Sequence, residues 1–187
     1  MNCFLQSQFD YINDEPAVSE KGAAGSSARK RNALIFAVIA ALWVLLDQAT
    51  KIFFNSYQLG ELIAGPFAGI FQFRLVHNIG AAWGMFGGAV IPLAIVSILV
   101  CVALAAYLFI AFPNSSSITA IGISLVVAGG IGNAIDRFAL GYVVDFIETV
   151  FIEFPVFNIA DIGVTCGFVI FFIGMILEYL NTGDEEC

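Results

Sequence analysis

Apolar positions run almost unbroken through four stretches of this chain, and polar positions gather where those stretches end. The first, "ALIFAVIAALWVLLDQATKIFF", extends from Ala33 to about Phe54 and meets Asp47 and Lys51 near its far end. The second, "AVIPLAIVSILVCVALAAYLFIAF", begins at Ala89 and carries no charge. After the turn "PNSSS" comes "ITAIGISLVVAGGIGNAI", and "IADIGVTCGFVIFFIGMILEYL" follows from Ile159. A helix rising about 1.5 Å per residue needs about 20 apolar residues to cross a bilayer, so each run is expected to be a transmembrane helix. Gly122, Ala128, Gly129, Gly130 and Gly132 would let neighbouring helices approach the third run closely, which places it at the centre of the bundle.

Four crossings leave both termini on one side. Arg29, Lys30 and Arg31 stand directly before the first run, and basic residues favour the cytoplasmic side, so both termini are expected inside. On that map the unusual polar residues converge on the outer face: Asp47 and Lys51, the segment "FRLVHNIGAAWGMF", then Asn133, Asp136 and Arg137, and finally Asn158 and Asp161. The inner face offers an uncharged turn and two tails. In "GIFQFRLVH", Phe71, Phe73 and Leu75 alternate with Gln72, Arg74 and Val76, which suggests a strand. Residues 1–31 lack helical or strand periodicity and are expected to form a disordered tail, residues 32–181 one membrane body, and 182–187 a short C-terminal tail.

Composition sharpens this picture without changing it. The chain is 60% hydrophobic and 12% charged, with a mean hydropathy of +0.93, as an integral membrane protein requires. Seven basic against fifteen acidic residues give a net charge of -8, which excludes nucleic acid as a partner because phosphate binding needs clustered Lys and Arg. Cys101 and Cys166 fall inside apolar runs and Cys3 and Cys187 at the chain ends, so neither a disulfide framework nor a zinc site is expected. His77 has no HExxH or cysteine partner and reads as a polar loop residue, while Ser115 to Ser117 lie far from it on the opposite face. Trp43, Trp83 and the many phenylalanines read as lipid-facing or interfacial packing.

An ionisable group at the edge of hydrocarbon is costly unless paired or wet, so each one here needs a partner or a function. Asp136 and Arg137 could satisfy each other at a helix end. Asn158 and Asp161 have N-cap and N3 spacing, so both could cap the fourth helix, and a carboxylate there is also favoured by the helix dipole. Asp145 is harder to explain structurally. It lies in "YVVDFIETVFIEFPVF", a run too interrupted to span, and it has no local partner. Pro155 falls between Asp145 and Asp161 and allows the chain to turn back and bring the two together. Two carboxylates in one site hold one proton between them. The ionised member can activate water, while the protonated one polarises a carbonyl and later protonates a leaving amine. A proton-conducting bundle or a scaffold held by Asp–Arg pairs remains an alternative use of the same acids, the first requiring acids spread through the membrane depth.

Four blocks occur in order: "LLDQATK", Leu45 to Lys51; "HNIGAAWGMF", His77 to Phe86; "GGIGNAIDRFALGYVVDF", Gly129 to Phe146; and "FPVFNIADIGVT", Phe154 to Thr165. Together they resemble the signature blocks of lipoprotein signal peptidase, also called signal peptidase II, from about Ala33 to Leu180. The resemblance implies an all-α integral membrane fold of four transmembrane helices with a small extracytoplasmic β-rich platform and a short surface helix. It implies an aspartic endopeptidase of the bacterial inner membrane, without metal or cofactor, in contact with membrane lipids. Such an enzyme cuts prolipoproteins before a diacylglyceryl-modified cysteine and is blocked by globomycin in the same cleft. The catalytic pair would fall on Asp145 and Asp161. Asn78, Gly80, Asn133, Asp136, Arg137, Asn158 and Ala160 would fall at supporting positions, Asp47 and Lys51 would be structural or platform-positioning, and Arg137 would brace the site. Trp83 stands where the resemblance leads one to expect phenylalanine, and the segment from Val143 to Phe154 is expected to cover the site.

Overall fold

The computed structural model describes residues 15–81, 83 and 85–183. Among them are four long helices, α1 (Glu15–Phe54), α2 (Val90–Ala106), α3 (Ser117–Ala139) and α4 (Ile159–Gly183), and three strands, β1 (Leu62–Phe67), β2 (Phe71–Asn78) and β3 (Val143–Thr149). The apolar parts of all four helices are long enough to cross a membrane. One expectation changes here. Helix α1 starts at Glu15, so the part of the expected disordered tail from Glu15 to Arg31 continues the first span as helix, with Pro16 in its first turn and no Pro after it. The earlier residues of that tail, residues 184–187 of the C-terminal tail, and with them Cys3 and Cys187, lie outside the described residues.

Helix α3 is the buried centre and packs on α1, α2 and α4, as its small residues suggested. A Cβ on Gly129 would collide with the carbonyl oxygen of Ala160, and one on Gly122 with the backbone of Phe171, so α3 and α4 touch backbone to backbone. On the other side of α3, Ile123 and Val127 join Cys101 and Leu108 from the second span in an apolar cluster that also takes in Phe171 of α4. Helix α2 tolerates Pro92 because the N–H groups of a first turn have no helical partner. It ends in a π turn at Tyr107–Ala111.

The end of the bundle away from the sheet is more polar than the sequence suggested. Ser116 caps α3 by accepting from the Thr119 N–H at 3.1 Å, and Glu178 reaches over from α4 to accept from the Ser116 N–H at 2.6 Å and the Thr119 hydroxyl at 2.7 Å. Arg31 donates to the Ser115 carbonyl at 3.0 Å, and the buried Asn32 to the same oxygen at 2.9 Å. The "uncharged turn" is thus met by charged side chains from α1 and α4. Apolar Ala120, Ile123 and Val127 lie between this set and the polar residues at the far end of α3, and the buried Ser124 among them donates its hydroxyl to the Ala120 carbonyl of its own helix.

The strands form one antiparallel sheet in the order β1-β2-β3. Strands β1 and β2 join through Ala68 and Gly69, both at positive φ, with the Ile70 N–H donating to the Phe67 carbonyl, the pattern of a type I′ hairpin turn. The alternation read in residues 71–76 is strand, as expected. Residues 143–149, in the segment expected to cover the site, form β3, and the chain from Val143 to Phe157 holds no helix. Its β-branched valines suit a strand. One face of the sheet seats Leu75, Val144 and Phe146 on the end of α1, where the Phe54 and Phe146 rings stack at 4.1 Å. From Thr149 the chain turns back through Pro155, and Phe157 exchanges backbone hydrogen bonds with Ile147 at 2.8 and 3.0 Å, so the expected reversal is present.

Gly129→Ala is expected to lower stability by about 1–3 kcal/mol through overpacking against Ala160, read as a fall in the thermal unfolding midpoint in detergent. An unchanged midpoint would mean that α3 and α4 do not touch at this level.

Candidate active site

Helical spacing puts Asp47 and Lys51 on one face of α1, turned toward α3. The Lys51 side chain is 2% exposed and its amine has three acceptors: Asp47 Oδ2 at 3.0 Å, Asp136 Oδ2 at 3.2 Å and Asn133 Oδ1 at 2.9 Å. An ammonium has three N–H donors, and here each has a partner. The carboxylates then fasten the backbone around them. Asp47 Oδ1 accepts from the Ala160 N–H at 2.9 Å, and Asp136 Oδ2 from the Val144 N–H at 3.0 Å. Gln48 bridges Asp47, Asp136 and the Gly132 carbonyl. One ion cluster therefore ties α1 and α3 to the first turn of α4 and to the start of β3.

Asn158 and Asp161 form a reciprocal cap at the start of α4. The Asp161 N–H donates to Asn158 Oδ1 at 3.0 Å, and the Asn158 N–H donates to Asp161 Oδ2 at 3.1 Å. The expected capping is present, and it leaves Asp161 Oδ1 free to accept from Asn133 Nδ2 at 2.8 Å. Asp145 is held in the same way by amides. Its Oδ1 accepts from Asn158 Nδ2 at 2.6 Å and its Oδ2 from Asn78 Nδ2 at 3.0 Å. Three asparagines and one backbone N–H thus address all four carboxylate oxygens, and Asn158 touches both acids. Burial, joined by the charge of Asp161, pushes the Asp145 carboxyl up to about 7, against the pull of Asn78, Asn158 and Lys51.

Two cavities meet at this pair. A smaller one of about 420 Å³ is lined by both Asp145 and Asp161, with Asn133, Arg137, Phe157 and Cys166. A larger one of about 990 Å³ runs along the sheet past Asp145, Glu148 and His77 to Trp83 and the turn at 150–156. Asn78 and Asp145 line both.

The sequence-derived residues Asp47, Lys51, Asn78, Asn133, Asp136, Asn158, Ala160 and Asp161 are brought together around Asp145. Gly80 and Arg137 stand beside them. The Gly80 N–H donates to Asn78 Oδ1 at 2.9 Å, and Arg137 donates to the Gly80 carbonyl at 3.3 Å. Asp136 does not pair with Arg137, its chain neighbour, because adjacent helical residues point to different faces; its ion partner is Lys51. Trp43 is also not simply lipid-facing: its indole N–H donates to the Ile159 carbonyl at 3.1 Å, over Gly163. Gln48 escaped notice, although it stands inside the block "LLDQATK". His77 hydrogen-bonds Asn55 at 2.8 Å and stacks on Tyr142, and burial lowers its pKa. Trp83 is exposed and meets Phe154 edge to face across the larger cavity.

The site's blocks and its fold recur in known proteins. The model of the family described as "Signal peptidase (SPase) II" matches residues 39–177. A lipoprotein signal peptidase of Enterococcus faecalis is 38% identical over 146 residues, covering 78% of this chain and 89% of the relative. One of Staphylococcus aureus is 36% identical over 154 residues, covering 80% and 92%. A solved bacterial membrane enzyme, determined by the in meso method at 2.3 Å resolution, superposes with a TM-score of 0.71 at 32% identity, covering 78% of this chain and 90% of its own. A bundle of four membrane-length helices, a three-stranded sheet at one end and a match over most of the chain lead to one assignment: this protein belongs to the signal peptidase II family.

Proposed function

We propose that Asp145 and Asp161 are the catalytic pair of an aspartic endopeptidase that releases the signal peptide of prolipoproteins, cutting before a diacylglyceryl-modified cysteine. The curated relatives are lipoprotein signal peptidases, so a membrane peptidase acting on lipoprotein precursors is the plain consequence of family membership. The finer reading rests on one observation. Two carboxylates from different elements, β3 and α4, line one cavity and are bridged by a single residue, Asn158, which donates its side-chain amide to Asp145 and its backbone N–H to Asp161. A strand end and a helix cap are rigid supports, which is what a reaction needing two groups on one bond requires.

The chemistry follows from the environment. In this scheme the pair holds one proton near neutrality, written on Asp145, whose carboxyl burial pushes up to about 7, with Asp161 as the ionised member. Asp161 then takes a proton from a water molecule, which attacks the scissile carbonyl as Asp145 donates a hydrogen bond to the carbonyl oxygen. Proton return to the leaving nitrogen completes amide cleavage without a covalent intermediate. The remaining support follows from the contacts: Asn78, Asn133 and Asn158 orient the acids, Gly80 and Arg137 hold the Asn78 turn, and Asp47, Lys51, Asp136 and Ala160 fasten the elements that carry them. With both termini cytoplasmic, the site lies at the extracytoplasmic face. A lipid-anchored substrate enters there from the bilayer, and globomycin would compete for the same cleft.

Asp145→Asn and Asp161→Asn are each expected to reduce cleavage of a diacylglyceryl-modified prolipoprotein by at least about 1000-fold while the protein still folds, followed by gel shift in detergent. Substantial turnover by either folded variant would remove that aspartate from the pair. The pH dependence gives a second test. Above a pKa of about 7 for Asp145 the pair loses its last proton, so kcat/KM should fall about tenfold per pH unit on the alkaline side. A rate that climbs steadily from pH ~7 to ~9 would contradict a protonated Asp145.

A further inference from the structure

We propose that Lys51 is a positioning residue that acts on Asp161 through Asn133: by fixing which way the Asn133 amide points, it obliges that side chain to present an N–H, never its carbonyl, to Asp161. The proposal rests on the reading of Asp145 and Asp161 as the catalytic pair. Its observation is the polarity of a three-member chain running from α1 through α3 to α4. Lys51 Nζ lies 2.9 Å from Asn133 Oδ1, and Asn133 Nδ2 lies 2.8 Å from Asp161 Oδ1.

An asparagine amide can be turned over at little cost unless its neighbours have fixed hydrogen-bonding sense. Lys51 has such a sense, because an ammonium only donates. Turning Asn133 over would set its NH2 against the Lys51 amine, two donors face to face where Lys51 is 2% exposed and Asn133 is buried. It would also set the NH2 against Asn158 Nδ2, which donates to Asn133 Oδ1 at 3.1 Å, and would set a carbonyl against the Asp161 carboxylate. Asn158, held by the Asp161 N–H on its Oδ1 and by the Val144 carbonyl on its Nδ2, supports the same orientation with a neutral donor. Lys51 is the charged donor, with no acceptor to offer in any rotamer. Its own place is secured by Asp47 and Asp136, which use its other two protons.

The consequence is chemical. An N–H aimed at Asp161 stabilises its ionised form, the form that activates water. The groups facing Asp161 are Asn133 and Arg137 from α3, Asn158 before α4, Asp145 from β3 and, one residue further, Lys51 from α1. Neither Lys51 nor Asn133 shares a proton with the substrate in this scheme. Their effect appears as a change in how readily the pair ionises.

The test measures kcat, KM and their pH profiles in detergent for Lys51→Met, Asn133→Leu and the double variant, each first checked for folding by its thermal transition. Lys51→Met is expected to lower kcat by about 10- to 100-fold with KM within about threefold of wild type. The acid limb of its kcat profile should move up by at least about half a pH unit, because a less stabilised Asp161 carboxylate takes up its proton at higher pH. If Lys51 works through Asn133, the double variant is no slower than Asn133→Leu alone. Because Lys51→Met strands two buried carboxylates and can prevent folding, the charge-matched pair Lys51→Gln with Asp136→Asn is measured beside it. Asn133→Asp, which keeps the size but replaces the donor by an acceptor, should show the same acid-limb shift. A wild-type acid limb in the folded variants, or losses that multiply in the double variant, would overturn the relay. Loss of activity in Asp145→Asn and Asp161→Asn alongside an unmoved limb would remove the relay alone, whereas activity in those two would remove the pair on which it rests.

Discussion

The Lys51 ammonium sits where water does not reach, and the rest of the site is arranged around satisfying it. Taking a charge out of water costs several kcal/mol, and removing one partner of a buried pair leaves about 3–5 kcal/mol uncompensated. Asp47, Asp136 and the Asn133 carbonyl answer that cost. Each of these is then committed, and its remaining atoms must be satisfied in turn. Asp47 takes the Ala160 N–H, Asp136 takes the Val144 N–H, and Asn133 turns its amide to Asp161. The positions of α4 and β3 are fixed by hydrogen bonds that begin at this one amine. Among the described residues no buried side-chain N or O lacks a partner, which is what makes such a network rigid.

Close packing makes the network possible. Lys51 can serve acceptors on two helices only if α1 and α3 approach, and Gly132 supplies the room, since a Cβ there would meet Asp47 Oδ2 at 2.5 Å. Gly129 does the same for α4, bringing the Ala160 segment against α3. Capping supplies the direction. At most helix starts the N3 carboxylate only satisfies backbone donors. Here Asp161 gives one oxygen to the cap and turns the other toward Asn133 and the cavity, so the bond that starts α4 also aims the acid.

The transmembrane order and the membership of the site were legible because both are written in local pattern. Long apolar runs announce helices, glycines mark the central one, and charges at the ends of greasy segments cannot be accidental. Asn158 and Asp161 carried their capping role in their spacing, and Pro155 marked the reversal that returns the chain to Asp145. Pairings across the fold were not legible. Nothing in the order "IDRF" says that Asp136 looks to Lys51 rather than to Arg137; that depends on which helix face meets α1. Glu178 was invisible for the same reason, because it caps α3 from the far end of another helix. The start of α1 was misplaced because Gly, Ser and Ala near residues 22–28 read as a flexible tail, although helix continued from an already stable span costs each added residue little.

Residues 143–149 were the hardest to read, and the sheet register explains why they matter. Five residues of β2, from Gln72 to Val76, span the same length as four of β3, from Glu148 to Asp145, with the irregularity falling between Phe73 and Val76. Residues three apart on a regular strand face opposite ways, yet Asp145 and Glu148 line the same cavity. The extra residue lies in β2, so β3 keeps Val144 and Phe146 against Phe54 while Asp145 meets Asn78 and Asn158 and Glu148 meets Gln72 and Arg74. A slip of one residue would carry Asp145 onto the face occupied by Phe54 and Phe73, away from Asn78 and Asn158. The aromatic stack beneath the sheet opposes that slip with the whole of its buried area. The Val144 N–H on Asp136 and the Phe157 bridge to Ile147 hold the strand from its two ends. Apolar packing on one face of a short strand thus determines where its single buried acid stands on the other.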